Sequence, residues 1–303
     1  MITSFAGLLK EVKDKPKKTI AVAMAEEEDV LQAVVMAHQQ GIADALLIGN
    51  KNKIIEVARK QDIDISDFDI IHAENEWHSV SRAIQLIREC MADTLMKGKC
   101  ATATLLKGVL DKEGGLRSGK LLSHFAVFEV PAYHKLIMVS DAAMNIAPDL
   151  QAKIAIVENA VQYARMLGIE KPKVAVIAAI EKVNPDGMPC TLDAAMLAQM
   201  AARGQIKNAI IDGPMAVDNA VSRKSCLVKG IESEVGGDAD ILLMPDIEAA
   251  NVFYKTLTYL GNSKTAGIII GASVPIILTS RADSEEAKYL SIALGTLTSA
   301  RNQ

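Results

Sequence analysis

Short apolar runs recur along this chain, each followed by a longer amphipathic stretch, and that alternation is what most limits the fold. In the first part Thr19–Ala25 (TIAVAMA), Ala45–Ile48, Asp69–His72 and Thr94–Met96 have the look of strands. Lys173–Ala178, Ala209–Ile211 and Asp240–Met244 continue the series. Runs this short and this rich in aliphatic residues suit strands covered on both faces, as in a parallel sheet wrapped by crossover helices. Ser4–Lys13, Glu26–Gln40, Lys51–Lys60 and Trp77–Met91 supply the first helices. Further on, Asp149 is expected to cap a long helix ending at Gly168, Thr191 one reaching Arg203, and Ile247–Leu260 forms another.

Phe125–Val130 and Leu136–Val139 flank Pro131-Ala132-Tyr133-His134 and read as a hairpin, an antiparallel interruption of the alternation. The domain change is placed near it, with residues 1–136 and 280–303 in one α/β domain and 137–279 in the other. The last two apolar runs, Gly267–Ile270 and Val274–Leu278, are separated by a turn with Gly271 and Pro275. They stop abruptly in Thr279-Ser280-Arg281-Ala282-Asp283-Ser284. A strand that ends this way delivers a hydroxyl, a guanidinium and an acid to the carboxyl edge of a sheet, where open α/β sheets bind ligands. Asp283 is expected to cap the final helix, with Glu286 completing a capping-box-like pair.

A chain of 303 residues that is 50% hydrophobic can bury a sizeable core. Its formal charge of -4 argues against a general nucleic-acid surface but not against an anionic substrate. Cys90, Cys100, Cys190 and Cys226 form no C-x-x-C pair, and the five histidines show no metal-ligand spacing. No apolar run is long enough to span a membrane, and the N-terminal segment has the wrong order for a signal peptide. The expectation is a cytoplasmic protein with no membrane or nucleic-acid partner, no metal and no tightly bound cofactor. The methionines at Met196–Met200 read as packing.

Polar groups collect at the expected strand ends: Lys97-Gly98-Lys99, Ser140-Asp141, Asp212-Gly213-Pro214, Pro245-Asp246 and Ser280-Arg281. Each precedes a helix start, and helix N-termini attract anions. There is no G-x-x-x-x-G-K-[ST] loop, no G-x-G-x-x-G after the first strand and no G-x-S-x-G elbow. Patterns alone define a two-domain α/β enzyme acting on a small anion.

Four segments go further. DGPMAVDNAVS (Asp212–Ser222), ADILLMPDIEAANVFYKTLTYLG (Ala239–Gly261), LTSRADS (Leu278–Ser284) and SDAAMNIAPDLQAKIAIVENA (Ser140–Ala160) resemble signature segments of the phosphate acetyl/butyryltransferase family. A weaker similarity runs through MKGKCATATLLKGVL (Met96–Leu110) and LRSGKLLSHFAVFEVP (Leu116–Pro131). SRADS, where the acetyl branch carries S-R-G-C-S, is similar to the butyryl branch. The resemblance implies reversible transfer of an acyl group between coenzyme A and phosphate, with neither a metal nor a covalent enzyme intermediate. It implies two α/β domains with a cleft between them, an isocitrate/isopropylmalate dehydrogenase-like architecture, and a homodimer or larger assembly. A phosphate acetyltransferase, or a metal- and NAD-dependent dehydrogenase of the same architecture, is the rival reading.

Thiolate attack on an acyl phosphate builds negative charge that a guanidinium can bridge. Arg281 is the candidate for that role, with an ion pair to Asp283 or Glu285 as its ordinary alternative. Ser280 is expected to orient the coenzyme A sulfur. The resemblance places an aspartate base where this chain has Ala287, so Asp283 or Glu286 stands in, or none is required. Lys107 falls where the acetyl branch carries an arginine and is either a phosphate ligand, with Thr104 nearby, or a solvated surface residue. Arg117 and Lys120, in a basic Gly-rich loop, suit the coenzyme A phosphates or solvent alike. Ser140, Asp141, Asp212, Gly213 and Asn251 complete the expected substrate-binding set, although Asp212 and Gly213 equally suit a turn.

Overall fold

Phe5, Leu8 and Val12 recur at helical spacing and are buried, and helix α1 (Phe5–Lys13) forms on that stripe. The computed structural model describes residues 1–280 and 283–299. Strand β1 (Lys18–Ala23) leads into α2 (Glu28–Gln39), and β2 (Ala43–Gly49) into α3 (Lys51–Lys60). Next, β3 (Asp69–His72) leads into α4 (Glu76–Arg88), and β4 (Thr94–Lys97) into α5 (Thr102–Val109). The hairpin β5 (Ser123–Glu129) and β6 (Ile137–Ser140) follows, then α6 (Leu150–Met166). The alternation resumes with β7 (Lys173–Ile177), α7 (Cys190–Ala202), β8 (Ile210–Met215), α8 (Val217–Val221) and α9 (Arg223–Lys229). It closes with β9 (Ile241–Leu243), α10 (Ile247–Tyr259), β10 (Lys264–Ile270), β11 (Ile276–Ile277) and α11 (Glu285–Thr298).

These elements form two compact units. The first comprises Phe5–Lys120 and the chain from Ala266 onward; the second comprises Met1–Ser4 and Leu121–Thr265. The sequence reading set the divisions at 136/137 and 279/280. Pairing explains why the structure divides earlier at both places. The hairpin strand β6 is parallel to β9, which holds the whole hairpin in the second unit, and β11 is parallel to β4 of the first.

In the first unit the strand order is β3-β2-β1-β4-β11-β10, all parallel except β10, which runs antiparallel to β11. Ile20, Ala21, Val22 and Ala23 of β1 are all fully buried, so both faces of this strand are covered, as its continuous apolar run implies. The second unit has the order β5-β6-β9-β7-β8, parallel apart from the hairpin. Its core joins Phe128, Val139, Leu242, Met215 and Tyr254.

Three local expectations are corrected. Ser284, not Asp283, caps α11, its hydroxyl accepting the Ala287 N–H at 3.2 Å. Thr191 lies inside the first turn of α7, where its hydroxyl donates to the Met188 carbonyl and accepts the Asn184 N–H. Asp212-Gly213-Pro214 is not a strand terminus but part of β8. A Cβ on Gly213 would stand 2.9 Å from the Val176 carbonyl and side chain, so the missing side chain is what lets β8 lie against β7.

Candidate functional site

In the first unit β1, β4 and β11 are parallel, so their carboxyl ends share one edge. Lys97 ends β4, and Met24, Gly98-Lys99 and, after Leu278, Thr279-Ser280 follow those strand ends. The Gly98 N–H donates to the Ala23 carbonyl at 2.8 Å and the Lys99 N–H to the Met24 carbonyl at 2.7 Å. A side chain at Gly98 would overlap the Met24 carbonyl, so only glycine lets the two strand ends knit this closely. Helix α5 starts here behind Ala101, which offers no side-chain cap, and Thr104 is half-buried near its start.

The turn after β11 is built on Asp283. This residue is 5% exposed, its Oδ2 accepts the Ser280 N–H at 2.7 Å, and its own N–H donates to the Ser280 carbonyl at 3.1 Å. Freed from capping, the carboxylate closes the segment that carries the S-R pair. Arg281 and Ala282 lie outside the described residues. Ser280 and Glu286 are exposed, Glu286 in the first turn of α11, and Ala287 is buried.

Two lysines that the sequence reading left out of the site are buried at this edge. Lys97 is 6% exposed, and its ammonium donates to the Gly98 carbonyl at 3.2 Å. Lys288 is 1% exposed and donates to the Asp283 carbonyl at 2.6 Å. The sequence reading placed Lys97 among the polar groups at the end of β4 without assigning it a role, and Lys288, in the first turns of α11, gives no local sign of its burial. Cys100, near Lys97 in sequence, is fully buried, and burial pushes its thiol up to about 11, which removes it as a nucleophile near neutrality.

Lys107 is exposed on α5 with its ammonium 5.3 Å from the centre of the Trp77 ring, a cation–π contact. The exposed Arg117 forms a bridge with Ala272, while the Ser273 N–H donates to the Leu116 carbonyl. Ala272 follows the carboxyl end of β10, which is antiparallel to β11. The Arg117 backbone is thereby held at the edge opposite Ser280, and the structure does not bring these two backbones together.

The second unit has its own carboxyl edge. Ser140 is fully buried and its hydroxyl donates to the His124 carbonyl at 2.7 Å. One Asp141 oxygen accepts the Ala143 and Met144 N–H groups, and the other accepts the Asn145 amide at 2.6 Å. Asn251, exposed on α10, donates its amide to the Ala142 carbonyl at 3.2 Å, and Asp246 caps the same helix. Ser140, Asp141 and Asn251 therefore form one cluster. Asp212 lies elsewhere, on the rim of an open hollow of roughly 1340 Å³. Asp238 lines that hollow too. Burial alone would raise its carboxyl, but hydrogen bonds from Lys173, Lys135 and His134 outweigh that effect and hold it well below the usual carboxylate range.

Among solved structures, a branched-chain phosphotransacylase from Enterococcus faecalis matches with a TM-score of 0.84 and 33% identity. The match covers 94% of this chain and 100% of that one. The chain is thus an acyltransferase of mixed α/β fold. It belongs to the phosphate acetyl/butaryl transferase family, which it matches over residues 4–82 and 76–296. It is 50% identical to the phosphate butyryltransferase of Clostridium acetobutylicum over 98% of either protein. A phosphate acetyltransferase from Thermotoga maritima is 42% identical, over 96% of this chain and 98% of that protein.

Proposed function

We propose that this chain catalyses reversible transfer of a short acyl group, butyryl foremost, between coenzyme A and inorganic phosphate. The 50% identity to a phosphate butyryltransferase along nearly the whole chain carries the reading. In this reading the thiolate of coenzyme A attacks the carbonyl of an acyl phosphate and phosphate leaves. Arg281 stabilises the oxygens on which charge builds, and Ser280 orients the sulfur. Asp283 holds the Ser280–Asp283 turn, and the exposed Glu286 is the carboxylate suited to take the thiol proton. A thiol with a pKa of about 8.5 already supplies a few per cent thiolate at neutrality, so demand on that base is slight. Lys107 with Thr104 contacts the phosphate. Ser140, Asp141 and Asn251 are the second unit's candidates for substrate contact, while Arg117, Asp212 and Gly213, placed apart from Ser280 or from that cluster, are given no part in the reaction.

The isocitrate/isopropylmalate dehydrogenase-like architecture belongs to the same proposal, as do coenzyme A as substrate rather than resident cofactor, a homodimer or larger assembly, and the cytoplasm. The test mixes purified protein with phosphate and acetyl-, butyryl- or isobutyryl-CoA and follows release of free thiol. Butyryl-CoA is expected to turn over fastest. No thiol release from any of the three overturns the proposal, and a preference for isobutyryl-CoA reassigns the acyl group toward the branched-chain relative.

A further inference from the structure

Lys288 is among the largest fully buried side chains of the protein. Among the described residues its ammonium meets the Asp283 carbonyl at 2.6 Å, Asp29 Oδ2 at 3.2 Å and Glu27 Oε1 at 3.9 Å. Both acids belong to the start of α2, where Glu27 is the N-cap and Asp29 lies in the first turn. Lys288 itself sits in the first turns of α11, its N–H donating to the Ser284 carbonyl. A cation placed at the starts of two helices works against both macrodipoles. Burying it is unfavourable in its own right, and an apolar side chain of the same size would serve the core at least as well. The two acids offset the charge, and helix stability does not account for the ammonium.

What the ammonium does supply, and an apolar residue cannot, is a grip on the Asp283 carbonyl. The Asp283 carboxylate in turn holds the Ser280 N–H at 2.7 Å. The chain of contacts runs from the start of α2 through Lys288 to Asp283 and on to Ser280. We infer that Lys288 is a positioning residue for acyl transfer, a latch that fixes Asp283, and through it Ser280, against helix α2. The inference rests on the reading of the Ser280–Asp283 segment as the acyl-transfer site. It acts on the rate of the chemical step and not on substrate affinity, because Lys288 is buried and reaches Asp283 through a backbone carbonyl.

The test compares Lys288→Met with the unaltered protein by hydrogen exchange and by steady-state kinetics with butyryl-CoA and phosphate. Amide exchange should quicken in the peptide covering residues 279–284 and stay unchanged over β1 and β4. The kcat should fall by about tenfold to a hundredfold, with KM for butyryl-CoA held within about threefold, as misplacement of a reacting group predicts. Asp29→Asn, on the more exposed partner, should reproduce both effects more weakly, and it carries the test if Lys288→Met does not fold. Unchanged exchange at 279–284 in a folded variant removes the latch, and faster exchange with unchanged kcat removes its role in turnover. If the unaltered protein turns over no acyl-CoA, the functional reading falls while the exchange measurement still decides the latch.

Discussion

The Asp283 carboxylate accepts the backbone N–H of Ser280 at 2.7 Å, so an acid expected to cap a helix instead binds the residue three positions before it. Asp283→Ala removes that acceptor, with an expected loss of about 1–2 kcal/mol in stability and a kcat lowered at least tenfold. Asp283→Asn keeps an acceptor oxygen and should stay close to the parent in both. Melting temperature and kcat measured on the same preparations check this. An Asn variant with parent-like melting and a collapsed kcat would make the carboxylate itself the proton acceptor.

Arg281→Ala should lower kcat by about a hundredfold, equivalent to about 3 kcal/mol of barrier, while the fold survives. Thiol release with saturating butyryl-CoA and phosphate measures it. A kcat equal to the parent's would move charge stabilisation to another cation of this edge, with Lys97 the first to examine.

Lys107 stands over the ring of Trp77, the one tryptophan of the sequence. If Lys107 takes phosphate, that anion draws the ammonium from the ring and the fluorescence of Trp77 changes on titration with phosphate. Lys107→Ala should raise KM for phosphate about tenfold with little change in kcat and abolish the fluorescence response. A KM for phosphate that stays put assigns Lys107 to the α4–α5 surface alone.

Asp238, gripped by Lys173, Lys135 and His134, has a folded-state affinity for protons below that of the unfolded chain. Its contribution to stability is therefore complete above the unfolded carboxyl value, near pH 4, and fades as pH drops further toward the folded value. Asp238→Asn should melt below the parent at pH 7, and the gap should narrow as the pH is taken from about 5 to 3. Calorimetry across that range tests the sign. A gap that widens toward acid overturns it.

The strands were legible because burial on both faces leaves an uninterrupted apolar signature, as in Ile20–Ala23. The hairpin was legible from its Pro-bearing turn, and the gathering of polar residues past β4, β6, β9 and β11 from the abrupt end of each apolar run. What stayed hidden was decided at a distance. Asp283 and Ser284 are both good cap residues, and one carbonyl bond from Lys288, itself held by Asp29 259 positions away, accompanies the choice of Ser284. Asp212-Gly213-Pro214 has turn chemistry, yet Gly213 serves the approach of Val176 from the neighbouring strand. Lys97 was legible as a strand-end cation but not as a buried one, and nothing beside Lys288 in sequence announces a buried ammonium.

The two-residue strand β11 lies against β4, and helix α11 lies on α2, so the first unit is completed by a segment made only after the second unit. On the ribosome, β1 to β4 must wait with the free side of β4 unpaired while the second unit emerges. Nascent chains stalled before Ala266 should hold a finished second unit beside an unfinished first one. Truncation after β10 is thus expected to harm the unit whose strands β1 to β4 were made before the cut, by removing β11 and α11.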